Sequence, residues 1–304
     1  MLSEIELDRA SKAPDTGALI HKLDAKLNEL VGGHADVPKS SLQPDANQAA
    51  LYHLQAGGER IRGRCAIHAS LALGLSESDA LCIAASAELL HNASLVHDDL
   101  QDRDSMRRGA PAVWKKYGPN IAICTGDLML SAAYAALGGL SDSRNMPALV
   151  SLVHERTSLA VRGQCEDLIA GQHTKVSVDA YISIAVAKSG ALLSLPLEMA
   201  FIAAGRKNWT GEARTAAEAF AAAYQIADDL ADVLMDRESG SMNIIFVLEA
   251  AGHGPESTSF ARRLGSQQID KALALSLSLP SDAGSVLAES ALKLRRTFAI
   301  GEKQ

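Results

Sequence analysis

The stretch "ESDALCIAASAELLHNASLVHDDLQD", residues 77–102, decides the fold class of this chain. Its apolar residues recur at helical spacing, and most of them are Ala and Leu, which favour helix over strand. Ser76 and Ser78 provide a helix-entry signal, because a serine can accept from backbone N–H groups that have no partner in the first turn. The stretch therefore predicts a helix from about Glu77 to Asp99 that ends in a group of carboxylates.

The same pattern continues along the chain, and alternating strand patterns are almost absent. No repeat or long linker divides the sequence. We therefore predict an all-α fold in one large domain spanning residues 1–304, with the more irregular segments 1–47 and 253–304 packed at its periphery. The other predicted helices run over Ile61 to Leu73, Asn120 to Leu137, Met146 to Ala170, Val178 to Ala204 and Gly211 to Leu234.

Composition limits the possible partners. The 29 basic and 36 acidic residues give a net charge of -7, which argues against a nucleic-acid surface because phosphate backbones are bound by clustered Lys and Arg. The most apolar stretch, Gly190 to Gly205, contains Pro196 and Glu198 and is shorter than the roughly 20 residues of a membrane span. We expect no integral membrane segment and no nucleic-acid partner.

The four cysteines are widely spaced in apolar helical stretches, and no two of them form a CxxC pair. This spacing indicates neither a zinc site nor a disulfide framework. The N-terminus is acidic and lacks the basic-then-apolar pattern of a signal peptide. We interpret the cysteines as small buried residues and expect a reducing, cytoplasmic location. They are Cys65, Cys82, Cys124 and Cys165.

Two clusters of carboxylates repeat the spacing DDxxD, each after an apolar helical run. Like charges one turn apart repel, so a cluster needs a compensating partner. One such cluster is also typical of a solvated helix end, but two copies favour Mg²⁺, which prefers carboxylate oxygens and completes its shell with water and phosphate. We predict two acidic walls facing each other across a cleft. The clusters are Asp98, Asp99 and Asp102, and Asp228, Asp229 and Asp232.

Arginines follow and precede the first cluster. Arg107 and Arg108 come five and six residues after Asp102, and guanidinium groups bind phosphate oxygens in a bidentate manner. The motif "GGERIRGR", residues 57–64, adds Arg62 together with Arg60 and Arg64. A diphosphate that is held by Mg²⁺ on one side and by arginine on the other accounts for both the acidic clusters and the neighbouring arginines.

Seven motifs in this order resemble the trans-type isoprenyl diphosphate synthases, the polyprenyl synthetase family, over about Gly57 to Asp236. That family folds as a helical bundle around a deep central cavity and is usually a homodimer, which the resemblance implies here as well. The motifs are "GGERIRG", "LLHNASLVHDDLQD", "RRGAPAVWKKYG", "CTGDLML", "GQCEDL", "AKSGAL" and "YQIADDLAD".

The resemblance implies condensation of an allylic diphosphate with isopentenyl diphosphate, assisted by two or three Mg²⁺ ions that the diphosphate bridges. It also implies a role for each matching residue. Asp98, Asp102 and Asp228 would bind metal, with Asp99, Asp229 and Asp232 ligating or supporting it. Arg107, Lys188, Ser189 and Gln225 would hold the allylic diphosphate, and Arg62, His91 and Arg108 would hold isopentenyl diphosphate. Asp98, Asp102, Arg107, Lys188 and Asp228 form the implied catalytic set.

The chain departs from the family pattern at two places. Glu59 stands where the family has a lysine that contacts isopentenyl diphosphate. The loop after the second cluster lacks the family's lysines, and no lysine occurs between Lys207 and Lys271, so Arg237 is the nearby cation. These departures keep two alternatives open: irregular prenyl coupling or terpene cyclisation on the same fold, and a non-catalytic modulatory subunit.

The resemblance also bears on the length of the product. Ala93 and Ser94 lie five and four residues before Asp98, where bulky aromatic residues in this family close the pocket. Small residues there indicate a linear all-trans product of twenty carbons or more, such as geranylgeranyl diphosphate. Leu90 or residues 128–130 are the alternative candidates for closing the pocket, at a greater depth, and so for limiting the product length.

Overall fold

The structure, a computed structural model, describes residues 16–32, 45–170 and 176–299. Its described residues are helical apart from turns and one two-stranded hairpin, which confirms the predicted all-α class. Residues 16–150 and 151–299 belong to two compact units, here called the N-terminal and C-terminal units. The single-domain organisation and the central cavity stay predictions, and part of the segment 1–47 lies outside the described residues.

Six helices and a short hairpin build the N-terminal unit. The hairpin pairs Met106 with Pro111 and Arg107 with Ala110. The elements are α1 (Gly17–Val31), α2 (Ala46–Gln55), α3 (Ile61–Ala72), α4 (Glu77–Gln101), β1 (Met106–Arg107), β2 (Ala110–Pro111), α5 (Val113–Tyr117) and α6 (Pro119–Leu137).

The long helix α4 is the centre of the N-terminal unit. Its predicted entry signal is confirmed, because the Asp79 amide donates to Ser76 Oγ at 3.1 Å. The alanines of this helix are buried on whichever side of the helix they lie, which is typical of a helix in a protein core. Gly126 on α6 lies so close to the His97 ring that no side chain fits between the two helices there. This contact fixes α6 beside the end of α4 that carries the first acidic cluster.

The C-terminal unit consists of long helices, and α7 begins five residues before its boundary. Helices α8 and α9 are joined by a wider π-helical turn at Val186–Gly190, so that the backbone stays helical from one to the other. The elements are α7 (Met146–Ala170), α8 (Val178–Ala185), α9 (Ala191–Ala203), α10 (Thr210–Ser239), α11 (Ile244–Ala250), α12 (Ser257–Ser278) and α13 (Ser285–Ala299).

Helix α9 is buried along most of its length, and a charged pair crosses the core beside it. The Arg156 guanidinium donates to both oxygens of Glu198, at 2.7 and 2.8 Å. Because both residues are buried, each charge depends on the other for compensation. This pair joins α7 to α9.

Two expectations about the outer parts of the chain were wrong. The segment after Gly252 was predicted to be irregular, but it forms α12 and α13, whose buried stripes alternate with polar faces. The cysteines were all predicted to be buried, but Cys124 and Cys165 are exposed because they lie on the outer faces of α6 and α7. The peripheral packing of 253–304 stays a prediction.

Two helical stretches, Pro119–Leu137 and Val178–Ala203, are long and apolar enough to cross a membrane by length and composition alone. Helices of protein cores pass the same test, and 44% and 67% of the two apolar windows are buried inside the protein. The absence of a membrane-spanning segment therefore stays a prediction.

Candidate functional site

The first acidic cluster lies at the C-terminal end of α4. Asp98 is half-buried and Asp102 is exposed one turn later, where the Asp102 amide donates to the Asp98 carbonyl at 2.8 Å. No basic residue occupies the last turn of the helix. The carboxylates therefore meet the negative end of the helix dipole, which adds to their mutual repulsion and favours a cation.

Asp99, between them, has a different environment. Its side chain is fully buried and accepts from the Arg107 guanidinium, through Nε at 2.8 Å and through a second, shorter bond. Burial raises the pKa of Asp99, and the bonds to Arg107 oppose that rise. Asp99 therefore supports the site by anchoring strand β1, and Arg107 is engaged with this carboxylate. Of the two roles implied for Asp99, ligand and support, the geometry favours support.

A cluster of cationic groups forms on α4 and on the neighbouring turns. The pKa of His91 is held well below its ordinary value by burial and by the positive charges of Arg62 and Arg108. The charges of Arg62 and Arg108 therefore both act on His91, and the three residues predicted to bind isopentenyl diphosphate are electrostatically coupled. A neutral imidazole between two guanidinium groups is suited to an anion that restores charge balance.

The hairpin turn places Arg108. Arg108 and Gly109 both have positive φ, +50° and +78°, which turns the chain back toward the start of α3. The Arg108 guanidinium donates to the Gly57 carbonyl and lies on Gly58, where a Cβ would come within 2.7 Å of Cζ. Gly58 thus leaves room for Arg108, and Gly57 has a positive φ of +75°, so each glycine of the "GGERIRG" motif has its own reason.

Within that motif, Arg60 has a structural role. It is buried at the start of α3 and donates to Asp24 at 3.1 Å and to Glu88 at 3.4 Å. Glu88 also accepts from the Gly63 amide at 2.8 Å. Arg60 therefore joins α1, α3 and α4, whereas Glu59 beside it is exposed to solvent.

The second acidic cluster lies in the C-terminal unit, on α10. Asp228 is exposed, and Asp232 and Asp236 follow at four-residue steps on the same helix face. Partial burial and then the charges of Asp232, Asp229 and Asp236 raise the pKa of Asp228 to about 6. Asp236 extends the predicted cluster by one turn. The sequence could have indicated it, because residues four positions apart lie on the same helix face.

Asp229 is buried and serves as an acceptor for three donors. Tyr181 Oη, Gln225 Nε2 and the Ile244 amide donate to its carboxylate at 2.7, 2.8 and 2.6 Å. Burial raises its pKa to about 6 although these three bonds lower it. Gln225, predicted to bind the allylic diphosphate, therefore bonds to Asp229. For Asp229 too, the geometry favours support over metal ligation.

Lys188 and Ser189 lie in the π-helical turn between α8 and α9, both half-buried. Lys188 Nζ contacts Asp167 Oδ2 on α7 at 2.5 Å. Gly163, one turn before Asp167, lets the two backbones approach: a Cβ there would lie 2.7 Å from the Ala187 carbonyl carbon and closer still to the Lys188 amide. Such π-turns often occur at functional sites.

Sequence reasoning missed three residues that support the predicted ones: Asp167, Tyr181 and Asn243. Asn243 precedes α11, and its side chain caps that helix. Because asparagine is a preferred N-cap residue, the sequence could have indicated this capping role. The partners of Tyr181 and Asp167 are 48 and 21 residues away, and no local pattern indicates them.

The carboxylates fit a hard divalent cation by their chemistry. Asp228 and Asp232 have no basic partner within the described ranges, and their repulsion appears in the raised pKa of Asp228. Among residues 16–32, 45–170 and 176–299, no three His, Cys, Asp or Glu side chains converge as a complete metal site. Mg²⁺ binding at the two acidic clusters therefore stays a prediction, which depends on the preference of this ion for carboxylate, water and phosphate oxygens.

The polyprenyl synthetase family model matches residues 43–243. The short chain isoprenyl diphosphate synthase of Methanothermobacter thermautotrophicus is 32% identical over 216 residues, 70% of this chain and 66% of that protein. The (2E,6E)-farnesyl diphosphate synthase of Mycobacterium tuberculosis is 35% identical over 201 residues, 62% of this chain and 56% of that protein. The matches thus span less than two thirds of these relatives.

Solved structures show the same fold. The geranylgeranyl pyrophosphate synthetase of Geoglobus acetivorans superposes with a TM-score of 0.79 at 23% identity, covering 96% of this chain and 99% of that one. At this identity the likeness concerns the backbone arrangement.

Proposed function

Because the chain belongs to the polyprenyl synthetase family, we propose that it is a Mg²⁺-dependent prenyltransferase that condenses an allylic diphosphate with isopentenyl diphosphate. The product is a linear all-trans prenyl diphosphate of twenty carbons or more. In the proposed reaction, the diphosphate group of the allylic substrate leaves with the electrons of the C–O bond. The double bond of isopentenyl diphosphate then supplies the electrons of the new C–C bond to the allylic carbon. Loss of one proton then restores a double bond.

One observation carries this proposal: the face of α4 that carries His91 is under the positive charges of Arg62 and Arg108, and the same face carries the carboxylate of Asp98. His91 and Asp98 are seven residues apart, which is two turns and about 10 Å along the helix axis. The cationic group around His91 suits a diphosphate bound by direct ionic contact. The acidic group around Asp98 suits a diphosphate bound through metal. A reaction of two diphosphate substrates needs both.

The chain's own residues have distinct proposed tasks. Asp98, Asp102, Asp228 and Asp232 would hold Mg²⁺, which when bound acts as a Lewis acid on the leaving diphosphate. Arg62 and Arg108 would bind isopentenyl diphosphate, and His91 would donate to it. Lys188 would bind the allylic diphosphate, held in place by Asp167.

Product length is proposed from the small residues before the first cluster. Ala93 is buried and Ser94 half-buried, with Ser94 Oγ donating to the His91 carbonyl. Neither side chain can fill the space that a phenylalanine would. Leu90 is buried one turn earlier and is the candidate for closing the pocket at a greater depth.

We further propose a cytoplasmic homodimer without membrane-spanning segments. All four cysteines are free thiols, which supports a reducing compartment. Ile123 on α6 and Val150 on α7 are exposed apolar side chains, 47% and 41% accessible, of the kind buried in subunit interfaces. Light scattering after gel filtration measures the subunit number.

The test is product identification with purified protein, Mg²⁺, isopentenyl diphosphate and allylic primers of five, ten and fifteen carbons. Diphosphate release and products extended in five-carbon steps are expected, and EDTA should abolish both. Asp98→Asn should lose most activity, whereas Asp142→Asn, an exposed carboxylate of the same unit, should keep it. No extended product from any primer would refute the proposal. A product from an allylic diphosphate alone would instead indicate irregular coupling or cyclisation.

A further inference from the structure

The end of helix α10 is poorly held by packing. Asp229 is the last buried residue of this helix, and none of residues 230–239 is buried. Leu234 and Met235 are 78% and 62% exposed. A cavity of about 240 Å³ opens where this end meets α11, lined in part by Asp236, Asn243 and Phe246. Something other than apolar burial must hold Asp232 and Asp236 in register.

Asn243 makes the required connections. Its side chain is fully buried, and Nδ2 donates both to the Asp229 carbonyl at 2.8 Å and to Asp236 Oδ2 at 2.7 Å. Its Oδ1 accepts from the Ile245 amide at 2.9 Å, which caps α11. One side chain thus binds the start of α11 to two positions of α10 that are seven residues apart. Asp232 lies between those positions.

Tyr181 fixes the other side of the same helix turn. Its hydroxyl donates to Asp229 Oδ2 at 2.7 Å, and the Ile244 amide donates to the same oxygen at 2.6 Å. Since Tyr181 belongs to α8 and Ile244 to α11, Asp229 joins three elements at one carboxylate. This junction fixes the backbone of α10 at Asp229, and so the direction in which the side chain of the adjacent Asp228 leaves the helix.

The exposed contacts at this end contribute less. Arg237 pairs with Glu249 at 3.2 Å and lies 4.5 Å from the Phe246 ring, but both charged residues are largely in solvent. Exposed ion pairs of this kind are weak and screened by salt. The buried bonds of Tyr181 and Asn243 are therefore the main restraint on residues 228–236.

We propose that Tyr181 and Asn243 are positioning residues, which act through Asp229 and Asp236 to aim Asp228 and Asp232 at the Mg²⁺–diphosphate complex. This inference rests on the proposed function, because it assigns these carboxylates to metal binding. It goes beyond that function because it distinguishes Asp229 and Asp236, which position the cluster, from Asp228 and Asp232, which bind the metal.

The test compares Tyr181→Phe and Asn243→Ser with Tyr134→Phe. Tyr181→Phe removes one hydroxyl without changing shape, and Asn243→Ser keeps an oxygen for the helix cap but loses both Nδ2 bonds. Tyr134 is a half-buried tyrosine of the N-terminal unit, and no described residue hydrogen-bonds its hydroxyl, so it is the matched control.

Two readouts are independent of turnover. The first is Mn²⁺ or Mg²⁺ uptake in the presence of inorganic diphosphate, measured by electron paramagnetic resonance or calorimetry. The second is amide hydrogen exchange across residues 228–243. Tyr181→Phe should weaken metal uptake about two- to tenfold because one bond to a carboxylate is lost. Asn243→Ser should weaken it about tenfold or more because both Nδ2 bonds are lost. Both should accelerate exchange at 230–239 while the control leaves uptake and exchange unchanged.

Outcomes of this test separate the two proposals. If the wild-type chain takes up metal with diphosphate and elongates primers, but both variants do so equally well, the positioning role is refuted and the proposed function stands. The positioning role is also refuted if the variants lose uptake only in proportion to a lower thermal midpoint. If the wild-type chain takes up no metal with diphosphate, both proposals fail together.

Discussion

Replacing Gly163 with alanine inserts a methyl group where the backbones of α7 and the π-helical turn touch. A Cβ at this position would lie 2.7 Å from the carbonyl carbon and 2.9 Å from the Cβ of Ala187, and closer still to the Lys188 amide nitrogen. Backbone atoms cannot rotate away as the end of a flexible side chain can. The two segments must therefore separate by about 1 Å before the contact becomes favourable.

The expected cost follows from two opposing effects. Overpacking in a well-packed interior costs about 1–3 kcal/mol. Alanine in place of glycine inside a helix returns up to about 1 kcal/mol of helix propensity. We expect a net destabilisation of roughly 1–2 kcal/mol, which lowers the midpoint of thermal unfolding by roughly 2–6 °C. Because Lys188 moves with its backbone, the KM for the allylic diphosphate should also rise.

Thermal unfolding and urea titration of Gly163→Ala measure the stability change, and initial rates at varied allylic diphosphate measure KM. Gly211→Ala is the control, since Gly211 is also helical and a Cβ there meets no described atom within 4 Å. The control should be as stable as the wild type or more so. If Gly163→Ala were equally stable, the backbone contact would not constrain the turn and the reasoning would be refuted.

Three further predictions concern charged groups. Arg156→Met leaves Glu198 buried without its partner and should lower the free energy of unfolding by about 3–5 kcal/mol in urea titrations. Burial lowers the pKa of His53 from 6.5 to about 4, so the unfolded state binds more protons between these values and stability falls as pH drops through this window. Between pH 7 and pH 4, the free energy of unfolding of His53→Gln should therefore fall by about 3 kcal/mol less than that of the wild type. Asp167→Asn should raise the KM for the allylic diphosphate, with no further effect once Lys188→Met is present, because Asp167 acts through Lys188.

Each of these has a control in the same chain. Arg144→Met, in the exposed pair with Asp142, should leave the urea midpoint unchanged. His154→Gln, at an exposed position, should keep the wild-type pH dependence. Glu166→Gln, beside Asp167 but exposed, should leave KM unchanged. A stable Arg156→Met, an unaltered pH dependence in His53→Gln, or additive effects of Asp167→Asn and Lys188→Met would contradict the respective prediction.

Much of the fold could be predicted from periodicity. The start of α4 and the full bounds of α7 agree with those predicted. The bounds of α3 and α6, and those of the span from the start of α8 to the end of α9, differ by at most one residue. The predicted end of the helix at Leu234 was five residues short, because residues 236–239 are polar and so carry little periodic signal. The helices after Gly252 were missed although their buried apolar residues recur at helical spacing.

The resemblance to the polyprenyl synthetases, stated from seven motifs, is confirmed by the family match over residues 43–243. The grouping of Arg62, His91 and Arg108 follows from that resemblance and stays a prediction, and the charges of both arginines act on His91. The roles within each DDxxD could not be divided from sequence. Adjacent aspartates look alike in the sequence, yet Asp98 is half-buried whereas Asp99 is enclosed with Arg107.

The all-α class, the helices that carry the acidic clusters and the family could all be read from residue spacing, because helix formation and motif spacing depend on residues within a turn or two of each other. Tertiary structure alone decided which carboxylate faces outward and which is enclosed. That choice depends on donors far away in the chain, such as Tyr181 for Asp229, 48 residues distant. Burial and hydrogen bonding set the charge and direction of a carboxylate, and both arise only when separate helices pack together.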